Sequence, residues 1–485
     1  MPHKHELDSM FYPKAVAVVG ASANPVGWGG TGFLRRLKEV GFPGSLCPVN
    51  PNATEVQGLK AYPDVSSIPE HVDLVIIAIP APGVPDVLED CISAGVKNVH
   101  IFTSGFGETG EEEGRELGDK TREIIQRGGL HVIGPNCMGL YVPASKLAAW
   151  GTKPVGTGHV AFLSQSGGHS ELLTGYAQGL GVYFSKVISY GNAYGLQALD
   201  LLEYLADDPD TSIITMYLEG IRDGNRVTRL VREINRTKPV IVWKGGLTDS
   251  GSRAVASHTG SLAGEERVWE AFFAQTGAVK ANSLEEIIDI VLPFLYLSPP
   301  RGRRALLLGG GGGNSVALAD ICSREGLEVP HLTESTRKEL NSFIRLAGNS
   351  TRNPLDVWQV QGDVDQFRRS IELGVADPVI DMVIVDRHVG DDPDDDERPD
   401  EQDRQRAVND FIIDFAKKNE YDKPMVVAMT IFGNDPPSAA TAARLRREFA
   451  TAGIPAYSSS TNAARALARF VQYHQFQSKT TDYNH

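Results

Sequence analysis

Cysteine is scarce in this 485-residue chain: Cys47, Cys91, Cys137 and Cys322 are its only four. They lie far apart with no C-x-x-C spacing, which argues against both a zinc site and a disulfide framework and fits a reducing compartment. No uninterrupted apolar run approaches the roughly 20 residues needed to span a bilayer, and Met1 to Met10 lacks the apolar core of a signal peptide. Positive charge is short as well. Against 61 acidic residues stand 47 basic ones, a formal charge of -14, which disfavours nonspecific binding to nucleic acid or to an anionic membrane. The expectation is a cytoplasmic chain without nucleic-acid, membrane or metal partners of its own.

Two glycine-rich turns also lack the phosphate-loop signature that each would need. The turn that begins at Gly20 does not open a G-x-G-x-x-G run, since the next glycines are Gly27, Gly29, Gly30 and Gly32, so a standard dinucleotide fingerprint is not supported there. The glycine run Gly309 to Gly313, followed by Asn314, lacks the G-K-[ST] ending of a Walker loop. It reads equally as a ligand loop or as close backbone packing, and Asn353-Pro354-Leu355-Asp356 is similarly open.

What the chain does have is alternation. Short β-branched runs at Ala15 to Val19, Leu46 to Val49, Leu74 to Pro80, Val99 to Ser104 and His131 to Ile133 are separated by helical stretches, the pattern of a doubly wound parallel sheet. These runs are nearly all apolar, as expected when helices cover both faces. The pattern restarts with Val160 to Leu163, Ser185 to Ser189, Ser212 to Leu218 and Val240 to Lys244. After the proline-broken stretch Leu297 to Gly302 it restarts again with Ala305 to Leu308, Met382 to Val385 and Met425 to Met429, and closes on a helix around Ala463 to Gln472. The expected class is α/β with three wound domains, at residues 1–145, 155–297 and 303–485. The acidic run Asp391 to Asp403 reads as a solvated loop.

Ligands of open α/β sheets collect outside the carboxyl ends of the strands. In the first domain that rule selects Gly20, Ser22 and Pro25, then Val49, Asn50 and Pro51, then Ile79 and Pro80, then Thr103, Ser104 and Gly105, and finally Asn136. In the second, Ser164, Ser166, Gly167 and Gly168 follow a strand and open a helix, so small side chains and main-chain amides meet a positive helix end, which suits an anion. Glu219 ends the next strand; it could hold the ring nitrogen of a histidine or serve merely as a cap. His258 stands in Ala256-Ser257-His258-Thr259-Gly260-Ser261-Leu262-Ala263-Gly264, read as a small polar loop in which an imidazole near neutral pKa can act as an uncharged nucleophile.

Taken in order, Val18-Val19-Gly20-Ala21-Ser22, Pro48-Val49-Asn50-Pro51, Gly134-Pro135-Asn136-Cys137, Ser164-Gln165-Ser166-Gly167, Tyr217-Leu218-Glu219-Gly220 and Ser257 to Gly264 resemble the nucleoside-diphosphate-forming acyl-CoA synthetases, the succinyl-CoA synthetase superfamily. The match covers nearly the whole chain. The resemblance implies a Rossmann-like CoA-binding domain followed by two flavodoxin-like ligase domains, with His258 phosphorylated, Glu219 orienting it and Ser164 to Gly168 holding the phosphoryl group. It implies a reaction that joins a small carboxylic acid to coenzyme A while a nucleoside triphosphate is split. It also implies a separate ATP-grasp β subunit carrying ATP or ADP with Mg, in a heteromer such as α2β2. Departures from the family's pattern at Gly168-His169 and at Asn192-Ala193-Tyr194 make His169, Asn192 and Tyr194 the candidate acyl pocket. Two rivals are weighed beside it: a CoA-binding regulator without turnover, and a NAD-dependent oxidoreductase.

Overall fold

The computed structural model describes residues 5–23, 29–259, 265–309, 311–357, 363–389, 399–431 and 436–482. Pro25, the segment Gly260 to Gly264, Gly310 and the part of the acidic run at 391–398 lie outside the described residues, as does the side chain of His258. Three principal sheets carry the architecture, and all are wound in one way. In the first, the parallel strands Ala15–Val19, Ser45–Val49, Leu74–Ile77, Asn98–Ile101 and His131–Ile133 stand in the order 2-1-3-4-5. The second repeats that order with Val160–Ser164, Phe184–Ser189, Ile213–Leu218, Val240–Lys244 and Val279–Ala281, and the third with Ala305–Gly309, Leu355–Asp356, Met382–Val389, Met425–Ile431 and Ala456–Tyr457. Each sheet therefore has its winding reversal between its own first and third strands, where a crevice opens at the carboxyl ends.

In the first two sheets the strands at these reversals are buried along their full length, which is why they read as continuous apolar runs rather than as alternation. Val19, Val49, Val75, Ile77, Val99 and Ile101 share the core of the first sheet; Leu306, Leu308, Val383, Val385 and Val427 share that of the third. All four thiols are buried and free. No helix among the described residues is long and apolar enough to cross a membrane, and among them no group of three or more His, Cys, Asp or Glu could hold a metal ion.

The sheets divide the chain differently from the strand count in two places. Gly139–Val142, expected at the end of the first domain, pairs antiparallel with Phe184–Ser189 and so belongs to the second sheet. Only Gly134 to Met138 separates it from His131–Ile133, too few residues for the crossover of a dozen or more that a parallel neighbour requires. The helix Leu284–Tyr296, expected to close the second domain, is compact with the third from Glu285 onward. Asp289 accepts from Asn462 Nδ2 at 2.7 Å, Tyr457 Oη donates to Asp289 O at 3.2 Å, and Phe294 meets Phe470 edge to face at 5.0 Å. The chain thus forms two compact units, one holding the first two sheets and the other holding the third.

Candidate functional site

At the first reversal the strand Ala15–Val19 turns at Gly20, whose φ is +93°. A Cβ on Gly20 would stand 2.3 Å from Ala78 O, so only glycine lets this turn close against the end of the third strand. Around it the expected CoA-contact residues fall into two bonded groups. Gly20 N donates to Val49 O at 3.2 Å, Asn50 Nδ2 to Ala21 O at 2.8 Å, and Ser22 N to Thr31 Oγ1 at 3.0 Å. On the other side Thr103 Oγ1 donates to Ile79 O at 2.7 Å and Asn136 N to Thr103 O at 2.9 Å. Pro51, Pro80 and Ser104 are exposed on the rim.

Some of these assignments change. Val49 is 4 % exposed and its side chain is core, so only its backbone borders the crevice. The amide of Gly105 is taken by Glu108 Oε1 at 2.7 Å. The G-x-G-x-x-G spacing does occur, as Gly27-Trp28-Gly29-Gly30-Thr31-Gly32, but it begins eight residues past the end of the strand and runs into the helix Gly30–Val40. For Gly20→Ala we expect a thermal midpoint lower by several degrees and CoA affinity weakened at least about tenfold, because a side chain there meets backbone in a conformation L-residues avoid.

The second reversal assembles the phosphate-type residues. Ser164 ends its strand in register with Tyr217, and the turn leads directly into the helix Gly167–Gly179. Gln165 is the clasp: its Oε1 accepts from the backbone amides of Glu219 and of Gly220, the latter at 3.1 Å, fixing the Glu219 turn beside the helix start. Glu219 is 4 % exposed, and Tyr217 Oη donates to its Oε1 at 3.3 Å. Lys244, also buried, donates through Nζ to Gly245 O; burial pushes its ammonium down to about 8 although the Glu219 carboxylate pulls the other way.

Ser164 itself does not face a ligand. It is fully buried, its hydroxyl donates to Ser166 O at 2.8 Å and accepts from Ser166 N at 3.0 Å, so it braces the turn from inside. Ser166 Oγ in turn accepts from His169 N at 3.3 Å, the usual work of an N-cap, which leaves Gly167 and Gly168 as the small residues at the helix start where an anion would be met.

The expected acyl pocket comes apart. Asn192 accepts from Asn136 Nδ2 at 3.4 Å and donates to Glu108 Oε2 at 2.6 Å. Tyr194 packs edge to face on Phe106, lies under the Arg122 guanidinium at 4.0 Å and accepts from Gly107 N at 3.2 Å. Both fasten the loop after Phe184–Ser189 to the first domain, because a tyrosine with a partner for each end is most stable where phenol and ring are both satisfied. His169 alone of the three stands at the second reversal, against Tyr217 and Trp243.

His258 also differs from expectation: its backbone belongs to the helix Asp249–Thr259 rather than to a loop. Thr248 starts that helix, its Oγ1 accepting from Gly251 N at 3.1 Å and its carbonyl from Ser252 N at 2.7 Å. The helix follows the strand Val240–Lys244, the neighbour of Ile213–Leu218 in the same sheet. Gln165, Tyr217 and Lys244 join the site without having been singled out by sequence. The signal for Tyr217 is present there, since residues two apart on a strand share a face and Glu219 is already a candidate. At the third reversal, Gly311 N donates to the Asp356 carboxylate at 2.9 Å, so that backbone donor of the glycine run is engaged within the fold.

Comparison with known proteins finds relatives along the whole chain. Residues 14–143 match the CoA binding domain family and residues 157–294 the succinyl-CoA ligase like flavodoxin domain family. The α subunit of acetate–CoA ligase [ADP-forming] II of Pyrococcus furiosus is 40% identical over 379 residues, 78% of this chain and 82% of the relative. The α subunit of acetate–CoA ligase [ADP-forming] I of the same organism is 34% identical over 98% of this chain and 99% of its own length. A dinucleotide-forming acetyl-coenzyme A synthetase 1 of Ca. Korarchaeum cryptofilum, solved with phosphate and ADP, superposes with a TM-score of 0.84 at 32% identity over 99% of both chains. The chain belongs to the family of ADP-forming acid–CoA ligases, as a CoA-binding subunit of the α type.

Proposed function

We propose that this chain carries a phosphoryl group on His258 between a nucleotide site on a partner subunit and a carboxylic acid bound beside its own CoA. The observation that supports this most is the second reversal, where Gln165 ties the buried Glu219 to the helix start at Gly167 and Gly168. His258 follows the adjacent strand of that sheet. An imidazole held by a carboxylate at one nitrogen presents the other as nucleophile, and amides at a helix end neutralise the phosphoryl oxygens it then bears.

A free carboxylate acylates poorly because oxide is a poor leaving group; routing through phosphate replaces one hard step by easier ones. Phosphohistidine gives its phosphoryl group to the acid, restoring imidazole and forming an acyl phosphate. The CoA thiolate then attacks the carbonyl carbon, the C–O bond to phosphate breaks, and acyl-CoA and inorganic phosphate leave. Gly20, Ser22, Asn50, Ile79, Thr103 and Asn136 border the crevice for CoA, with Pro25 beside them by sequence.

The two Pyrococcus furiosus relatives are named α subunits, which supports a separate β subunit here. We assign to it the ATP-grasp site for ATP or ADP and Mg, an α2β2 assembly and a cytoplasmic location. The domains expected at 1–145 (CoA-binding), 155–297 (phosphohistidine-bearing) and 303–485 (second ligase domain) then shift at two joins, Gly139–Val142 going with the second and the helix Leu284–Tyr296 with the third.

The test runs on this chain without the partner. Incubated with acyl-CoA and 32P-phosphate, it is expected to gain one acid-labile label at His258; a label on any other residue would refute the assignment. Glu219→Gln, which keeps shape and loses charge, is expected to slow labelling about 10- to 100-fold, checked by initial rates at matched CoA saturation.

A further inference from the structure

Three rings stand together at the second reversal beyond what phosphoryl transfer requires. The register across the sheet sets Ser164, Tyr217 and Trp243 side by side, so their side chains leave one face. The first turn of the helix Gly167–Gly179 then lays His169 over that face: its ring is 4.4 Å from Tyr217 at 83° and 4.9 Å from Trp243, and Tyr217 and Trp243 are 4.6 Å apart. His169 and Trp243 are only partly buried, which leaves the cluster an open edge. Glycine makes room for the arrangement, since a Cβ on Gly245 would stand 2.6 Å from Tyr217 Oη, the hydroxyl that reaches Glu219.

Whatever extends from a carboxyl group undergoing phosphorylation beside Glu219 and Gly167 must lie within reach of these rings. Aromatic faces favour a flat π system through offset and edge-on contacts, offer a methyl group little, and disfavour a second carboxylate that would lose its water there. We propose that His169, Tyr217 and Trp243 are the acyl wall of this chain and select a flat, uncharged acyl group, aryl or α,β-unsaturated, over acetate and over dicarboxylates. The assignment rests on the ligase reading above and adds the substrate class to it.

The experiment compares cinnamoyl-CoA with acetyl-CoA as the thioester that labels the full chain with 32P-phosphate. Phosphate displaces CoA thiol from the thioester, and His258 takes the phosphoryl group from the resulting acyl phosphate, releasing the acid. Cinnamoyl-CoA is expected to label at least about tenfold faster than acetyl-CoA at equal subsaturating concentration. Trp243→Ala is expected to lower the cinnamoyl-to-acetyl ratio about tenfold; Trp243→Phe, which keeps a ring, retains most of the ratio and separates loss of the wall from loss of the fold. Faster labelling by acetyl-CoA overturns the assignment. So does a Trp243→Ala chain slowed equally with both thioesters, the result expected if the rings seat the imidazole of His258 instead. Labelling by neither thioester overturns the ligase reading, and the acyl wall with it.

Discussion

The His258→Ala chain is expected to take up no acid-labile phosphoryl label from acyl-CoA and phosphate, and to reduce ligase turnover with the partner subunit by at least about four orders of magnitude. The size of the effect follows from the role. A residue that only orients another can be lost at a cost of one or two powers of ten, as argued for Glu219, whereas removal of the atom that forms the covalent bond leaves no alternative path through phosphohistidine. His258→Asn is the sharper form of the test, since it retains a polar side chain of similar reach and no nucleophilic nitrogen. Turnover of either variant within about tenfold of the parent, with normal CoA binding, would end the phosphohistidine assignment.

The second large effect concerns stability. Lys186 lies in the middle of the second sheet with its side chain 0% exposed, and its Nζ donates to Asp208 Oδ2 at 2.7 Å, itself 3% exposed. The pair is bonded on every side: Thr211 Oγ1 donates to the same Asp208 oxygen at 2.5 Å, Lys238 Nζ donates to Asp208 O at 2.7 Å, and Lys186 Nζ also donates to Tyr12 Oη at 3.0 Å. The rings of Phe11, Tyr12 and Tyr204 stand 5.1 to 6.0 Å from the ammonium. Removing one member strands the other charge out of water, so Asp208→Asn and Lys186→Met are each expected to cost about 3–5 kcal/mol. Guanidinium unfolding followed by tryptophan fluorescence would read this as a lowered midpoint. The double variant is expected to recover part of the loss, because no lone charge then remains buried; strictly additive losses would show that the two residues act separately.

The strands are legible in the sequence because burial on both faces writes itself as apolar runs. Ala15–Val19, His131–Ile133 and Val240–Lys244 stand where those runs stand. The turns after them are legible too, since glycine and serine at strand ends announce tight geometry. What composition does not reveal is which way a group faces once the turn is closed. Ser164 has the same composition signal as Ser166, yet one hydroxyl is spent inside the turn and the other caps the helix. Tyr194 sits two residues from Asn192 and looks like a pocket residue until Phe106 and Arg122 claim its ring. Gly139–Val142 falls inside the expected first domain, and the shortness of its connection to His131–Ile133 sends it to the next sheet. His258 reads as a loop residue because of its small neighbours, while the start signal that places it in a helix stands at Thr248, ten residues earlier.

The cage around Lys186 has a practical reach beyond its own strand. The family match for the CoA-binding domain begins at residue 14, and a gene fragment cut there would keep every strand of the first sheet. It would nonetheless discard Phe11 and Tyr12, and with them two of the three rings and the Tyr12 hydroxyl around an ammonium that belongs to the neighbouring sheet. Recombinant versions trimmed to the homology boundary, or carrying a fusion packed against those residues, would therefore be weakened in the second sheet rather than in the part that was trimmed.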